Sequence, residues 1–147
     1  MKSPSRTSRL RRRGSATLEF AILLPLLLTI ALLCVDFGRF VHTYIAVTNA
    51  ARAGAGFASM HPITPATQPL YNAAVRQIVE EEMTANEWFE SASLTVQPPQ
   101  MIDDGDGTRR VRVDVSYPFN TLINWPFLPG YNDPVVLRRV VVMRLIR

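Results

Sequence analysis

The hydrophobic pattern of this chain is dominated by one apolar run near the N-terminus. Phe20–Val35 contains no charged residue, and as a helix rising about 1.5 Å per residue it is about 24 Å long. A bilayer core is about 30 Å thick, so flanking uncharged residues are needed to complete a span over residues 15–38. Glu19 and Asp36 then lie near the two interfaces, where a charge costs less than at the bilayer centre. The pattern predicts one transmembrane helix.

The helix is predicted to continue beyond the membrane over residues 39–58, because this stretch is rich in alanine and lacks proline. Small residues recur in it at every fourth position, along one stripe: Ala46, Ala50, Gly54 and Ala58. Such a stripe lets another backbone approach closely. That backbone belongs either to another subunit or to the chain's own C-terminal sheet, and one helix can pack against both with different faces. Asn49 and Arg52 flank the stripe, and they either make polar contacts in an assembly or face solvent.

Prolines end this helix and predict a linker over residues 59–68, followed by a small α+β domain over residues 69–147. A second helix is predicted to begin at Pro69, which suits a first helical turn, and to continue to about Glu90. Its apolar residues fall on one face: Tyr71, Ala74, Val75, Ile78, Val79, Ala85 and Phe89. Glu82 interrupts that face.

Three strands are predicted after the second helix, at residues 93–97, 110–117 and 135–145. The second strand alternates strictly and is predicted to face inward with Val111, Val113, Val115 and Tyr117. The predicted fold class is therefore α+β. A long N-terminal membrane-spanning helix precedes a small domain, in which one helix packs on an antiparallel sheet of about three strands.

Two loops invite functional interpretations. The sequence DDGDG, residues 103–107, suggests an EF-hand calcium loop. In that register the first and last ligand positions are Ile102 and Val113, which cannot bind calcium, so a hairpin loop is predicted instead. Residues 117–134 place aromatic side chains among prolines. This segment is either a rigid docking loop or a connection folded over the sheet.

No pattern of catalytic or metal-binding residues is evident. The run Glu80–Glu82 lies on consecutive helical positions, whose side chains point in different directions, so a solvated surface is predicted rather than a metal site. His42 and His61 lack a nucleophile or metal-ligand context. We therefore expect no enzymatic activity, no cofactor, no bound metal and no small-molecule substrate.

Charge is distributed unevenly. Residues 1–14 hold six of the 16 basic residues and no acidic one, while the rest of the chain is slightly acidic. Positive flanks stay in the cytoplasm, so a cytoplasmic leader and a C-terminal domain on the outer, periplasmic side are predicted. A cleaved secretory signal peptide is the alternative, but Asp36, Arg39 and bulky aromatics follow the run where small residues are needed. Since the leader directly precedes a span, no nucleic-acid partner is expected.

A stretch of about 40 residues near the N-terminus resembles a known family. The basic leader, Gly14, and Glu19 before an apolar helix resemble the processing site of type IV pilin-like proteins. The longer stretch resembles the N-terminal signature of TadE-like proteins, which are pseudopilins of the tight-adherence (Tad) pilus. The matching pieces are Glu19–Ala21, Leu24–Pro25, Asp36–Arg39 and Asn49–Ala55. Asp36 is a departure, because family members often have glutamate there.

The resemblance implies that a prepilin peptidase cleaves between Gly14 and Ser15, next to Glu19 and Phe20. It implies a minor structural or assembly component of a Tad-type (type IVb) pilus or related secretion apparatus in the bacterial inner membrane. Its implied partners are other pilin or pseudopilin subunits and Tad assembly proteins. It also implies that Glu19 neutralises a new N-terminal amine on Ser15, although a glutamate merely tolerated at the interface is the alternative. The second functional hypothesis is an uncleaved, membrane-anchored periplasmic adaptor in envelope assembly.

Overall fold

The computed structural model describes residues 11–61, 63–64, 66–105, 107–122 and 134–146, and for residues 11–15 the backbone alone. Two compact units divide the chain, one ending at Gly38 and the other beginning at Arg39. The helices are α1 (Arg11–Met60) and α2 (Gln68–Met83), with a short 3₁₀ turn at Ser91–Ser93. The strands are β1 (Thr95–Val96), β2 (Gln100–Asp103), β3 (Arg109–Phe119) and β4 (Val135–Arg144).

The first unit is the apolar part of α1. Within the described part of the chain, α1 is the one helix long and apolar enough to cross a membrane. It continues through Pro25 without a break, and the Thr29 hydroxyl donates a hydrogen bond to the Pro25 carbonyl oxygen (2.8 Å). Its large apolar side chains are exposed; Ile22, for example, is 69% exposed. The predicted helix over this stretch is confirmed, and its length and composition fit a membrane span.

The second unit contains the rest of α1 together with α2. Helix α1 ends at Met60, two residues beyond the predicted Ala58, so the predicted helix extension is part of this compact unit. Helix α2 ends at Met83, earlier than predicted. The chain turns there because the Asn86 side-chain amide, which is buried, donates a hydrogen bond to Thr43 Oγ1 on α1 (3.4 Å). The buried face consequently contains Met83, while Ala85 is exposed, contrary to the prediction.

Within the described residues the sheet has four antiparallel strands, in agreement with the predicted sheet of about three, and β3 pairs with each of the others. Strand β4 pairs with β3 from Phe119↔Val135 to Arg110↔Arg144. The short strand β2 pairs from Gln100↔Arg112 to Asp103↔Arg109. The sequence did not reveal β2 because it has four residues, follows two prolines and shows no apolar alternation.

A hairpin loop joins β2 to β3, as the DDGDG sequence predicts. Gly105 and Gly107 have φ angles of +78° and +82°, which residues with a side chain rarely adopt. The Asp104 N–H closes the loop by donating to the Thr108 carbonyl oxygen (3.2 Å). The turn chemistry therefore accounts for Gly105 and Gly107 in this segment.

The core of the second unit lies between the helices and the inner face of the sheet. All four side chains predicted to face inward from β3, Val111, Val113, Val115 and Tyr117, are buried. The other buried apolar residues are Val47, Ala50, Ala51, Ala55, Ala58, Tyr71, Val75, Val79, Met83, Leu94, Phe119 and Leu137. At one end the Ser59 carbonyl oxygen accepts a hydrogen bond from the Ile146 N–H (3.0 Å), which ties the C-terminal segment to the end of α1.

The aromatic and proline-rich segment is described in part. Phe119 belongs to β3 and is buried, with its ring edge-on to Phe40 of α1 at a centroid distance of 5.4 Å. Trp125, Phe127 and Tyr131 lie outside the described residues. The choice between a docking loop and a simple connection therefore stays open for residues 123–133.

Candidate processing and assembly surfaces of helix α1

The first candidate site is the N-terminal end of α1. Gly14 and Ser15 lie in the helical backbone, and Glu19 follows Ser15 by four residues. Residues at that spacing share one helical face. Glu19 is exposed, and Phe20, directly before the apolar run, is 58% exposed. The residues predicted for peptidase recognition thus lie together at the start of a membrane-length helix.

The second candidate site is the stripe of small residues. Ala50 and Ala58 have no exposed surface, Gly54 is buried and Ala46 is half-buried. A Cβ atom added to Gly54 would lie 2.7 Å from Val79 Cγ2 on α2 and 3.6 Å from Val113 Cγ1 on β3. The stripe therefore lets α2 and the sheet approach α1 closely. Of the two alternatives left open by the sequence, packing within the domain is the one present at these positions.

The opposite side of α1 presents a different set of residues. Asn49 and Arg52 are exposed there. Two apolar residues that the sequence analysis did not select, Val41 and Ile45, are 37% and 51% exposed. Val41, Ile45, Asn49 and Arg52 follow one another at spacings of three and four, so they form one ridge along the helix. We call these four residues the α1 ridge. In the sequence, the α1 ridge is indicated by the large apolar residues Val41 and Ile45, which lie on the helix side opposite the stripe of small residues.

The glutamate run of α2 behaves as a helix surface, as predicted. Glu80 accepts a hydrogen bond from Arg76 Nε (2.8 Å), and Glu81 accepts one from Gln77 Nε2 (2.9 Å). Glu82 is exposed. These i, i+4 pairs hold the carboxylates apart along the helix. In the described ranges, no three His, Cys, Asp or Glu side chains are grouped so that they could hold a metal ion.

The outer face of the sheet carries one nearly buried carboxylate. Asp114, 8% exposed, accepts a hydrogen bond from Arg138 Nε (2.9 Å) and a second from Arg138 Nη2. Arg112 Nη2 lies 4.0 Å from Asp114 Oδ2. The hydrogen bond from Arg138 lowers the pKa of Asp114, against the opposing effect of burial. This two-bond contact joins β3 to β4 across the outer face.

Acid should weaken the fold through Asp114. A carboxyl group whose pKa is lower in the folded chain stabilises the fold above its unfolded pKa of about 3.9, and loses that effect as the pH falls through the folded pKa. We expect Asp114→Asn to reduce stability at neutral pH and to flatten its decline below about pH 4. Thermal unfolding of the full chain in detergent between neutral and acid pH measures this. The control is Asp103→Asn, which removes an exposed carboxylate 3.8 Å from Arg109. It should change neither the stability at neutral pH nor the decline in acid. Equal acid sensitivity in wild type and Asp114→Asn would contradict this account.

Comparison with known proteins agrees with the geometry of α1. The family model described as TadE-like protein matches residues 14–56, from the predicted processing site through the α1 ridge. Searches of curated proteins and of solved structures gave no match. The matched segment begins at Gly14, contains Glu19 and the whole apolar run, and ends near the end of α1. Residues 14–56 are therefore similar to the TadE-like family, and the apolar run within them fits a single membrane span.

Proposed function

We propose that this chain is a pseudopilin of the Tad pilus or a related secretion apparatus, inserted once in the bacterial inner membrane. A prepilin peptidase removes the basic leader after Gly14, and the mature subunit then associates with other pilin or pseudopilin subunits through α1. The charge asymmetry supports a cytoplasmic leader and a periplasmic C-terminal unit. The Tad assembly proteins are further partners. No catalytic step belongs to the chain itself.

One observation carries the proposal. Gly14 and Glu19 stand at the start of a helix that has an exposed apolar surface for a membrane, and the family match begins at that same glycine. A membrane anchor alone does not need this pattern, because Glu19 adds a charge next to the apolar run. A processed subunit does use it, because cleavage creates an amine that the carboxylate can neutralise.

The α1 ridge supplies the surface for association outside the membrane. Its apolar members Val41 and Ile45 are exposed in the isolated chain, and its polar members Asn49 and Arg52 follow in the next turns. Apolar residues bordered by hydrogen-bonding groups are typical of a helix that packs against a neighbouring subunit. The small-residue stripe is occupied by α2 and the sheet, so we assign association to the ridge together with the polar pair that the sequence analysis selected.

Cleavage after Gly14 is the test of this function. We expect the protein isolated from membranes of cells carrying the matched peptidase to begin at Ser15, as measured by intact mass and N-terminal sequencing. Gly14→Val should stay at full length, because a branched side chain at the scissile bond restricts the backbone there. Gly38→Ala is the matched control in the same helix, since a Cβ at Gly38 meets no atom within 4 Å.

A chain that begins at Met1 in the presence of the peptidase would contradict the proposal. That outcome would favour the second hypothesis, an uncleaved membrane-anchored adaptor whose domain binds a periplasmic partner. Comparison with cells lacking the peptidase separates specific processing from general proteolysis, because both give a shortened chain and only the first depends on the peptidase.

A further inference from the structure

An arginine of α1 lies between two aromatic rings at the beginning of the second unit. The Arg39 guanidinium carbon is 5.1 Å from the ring centroid of Trp88 and 5.6 Å from that of Phe119. His42, one turn further along α1, meets the Trp88 ring edge-on at a centroid distance of 6.5 Å. Cation–π attraction favours such an arrangement. We call Arg39, His42, Trp88 and Phe119 the Arg39 cluster.

Trp88 is fixed in place and yet exposed. Its backbone N–H donates to Asn86 Oδ1 (3.3 Å), and its carbonyl oxygen accepts a hydrogen bond from the Tyr117 hydroxyl (3.1 Å). Asn86 in turn bonds Thr43 of α1, so the segment after α2 is held to both the helix and β3. Trp88 is nevertheless 51% exposed to solvent. A large aromatic side chain held at the surface by a rigid support is available for contact with something outside the unit.

The position of the cluster along the chain indicates what that contact is. Arg39 follows directly after Gly38, the last residue of the predicted span, and His42 is three residues further. At about 1.5 Å per residue, both lie within about 6 Å of the end of the span along the helix axis. Trp88 contacts both residues, so its ring lies close to the residue that follows the span. Tryptophan is enriched at this level of a bilayer, where its ring is partly apolar and its N–H finds polar partners.

We propose that the Arg39 cluster is a lipid-binding surface, in which the Trp88 ring lies among the headgroups on the extracytoplasmic side of the membrane. The Arg39 guanidinium, whose carbon lies 5.1 Å from the Trp88 ring centroid, holds the ring in place by cation–π attraction. The exposed Glu87 and Glu90 flank Trp88, so the surface does not need acidic lipids and binds zwitterionic phosphatidylcholine. The inference depends on membrane insertion of α1 and not on peptidase processing.

Fluorescence quenching by brominated lipids tests the proposal. The chain has two tryptophans, so Trp125→Phe leaves Trp88 as the one reporter in the full-length protein. In phosphatidylcholine vesicles with bromines near the glycerol end of the acyl chains, we expect roughly twofold or greater loss of Trp88 emission. Bromines near the chain ends should quench less, because the ring lies at headgroup depth. If Trp125→Phe does not fold, Trp125→Tyr provides the same reporter.

A matched control places tryptophan at the other end of the same unit. Leu70 is 76% exposed, and its neighbour Tyr71 donates a hydrogen bond to the Ala58 carbonyl oxygen (3.0 Å). Ala58 follows Arg39 by 19 residues in α1, which is about 29 Å along the helix axis. Leu70→Trp in the Trp88→Phe, Trp125→Phe background should therefore show water-exposed emission and no quenching by either lipid.

Two outcomes would overturn the proposal. Water-exposed, unquenched Trp88 emission would show that the ring does not contact the bilayer. Blue-shifted emission without quenching would show that protein covers the ring, and would assign the cluster to a subunit contact instead. Neither outcome bears on cleavage after Gly14, so failure here is distinguishable from failure of the pseudopilin assignment.

Discussion

Replacing Gly54 with leucine is expected to destabilise the second unit by about 3 kcal/mol or more, a large fraction of the stability of a small domain. The Cβ atom alone would lie 2.7 Å from Val79 Cγ2 and 3.5 Å from Val75 Cγ1. Valine has one strongly preferred rotamer in a helix, so neither side chain can turn away at low cost. Either α2 must move away from α1 or the core must open.

Chemical denaturation of the full chain in detergent, followed by near-ultraviolet circular dichroism, measures this effect. Two glycine-to-alanine variants in the same helix, Gly54→Ala and Gly56→Ala, provide a sharper comparison. Gly56→Ala should stabilise the unit by about 0.5–1 kcal/mol, because its Cβ meets no atom within 4 Å and alanine is the better helix former. Gly54→Ala should be destabilising in spite of the same gain in helix propensity.

The same variants decide whether the stripe also serves assembly. If Gly54→Leu folds with normal stability but fails to enter pili, the packing of α2 on Gly54 does not exist in the assembled subunit. That result would mean that the stripe packs against another subunit, and it would contradict the contact of Gly54 with α2 within the domain. If Gly54→Leu lowers the stability of the isolated chain, the contact between Gly54 and Val79 is supported, whatever the variant does to assembly.

Glu19→Ala is expected to abolish or strongly reduce pilus formation while leaving the protein in the membrane. Cleavage after Gly14 would place a new amine on Ser15, four residues before Glu19 on the same helical face. Between subunits, the carboxylate of one chain can neutralise the amine of its neighbour where water is scarce. An unpaired charge in such a place costs on the order of several kcal/mol. Because about 1.4 kcal/mol changes an equilibrium tenfold, this cost is large enough to prevent assembly.

Membrane abundance, processing and pilus yield should be measured together in the Glu19→Ala strain. Removing a charge favours insertion, so normal abundance is expected. Glu19→Gln keeps the size of the side chain and should show the same loss, because the charge is the active feature. Glu82→Ala removes an exposed carboxylate of α2 and should assemble normally. Normal pilus yield from Glu19→Ala would mean that the glutamate is merely tolerated at the interface.

Features that depend on short-range chemistry were readable from the sequence. The span is a composition signal, and β3 alternates because one face of a half-buried sheet must be apolar. The hairpin after β2 follows from glycines that adopt positive φ. The pattern of Gly14 and Glu19 is likewise local, since its meaning rests on spacing along one helix. These features needed no knowledge of which distant segments meet.

Features that depend on distant contacts were decided by the tertiary structure. A small-residue stripe has the same sequence whether it meets its own domain or another subunit, and only the positions of Val75, Val79 and Val113 show that the domain occupies it. Strand β2 forms because β3 offers partners to a segment with little strand propensity of its own. Helix α2 stops at Met83 because Asn86 bonds Thr43, a residue 43 positions earlier. The same bond brings Trp88 beside Arg39. No local pattern encodes that contact, because its free energy comes from packing between segments far apart in the chain.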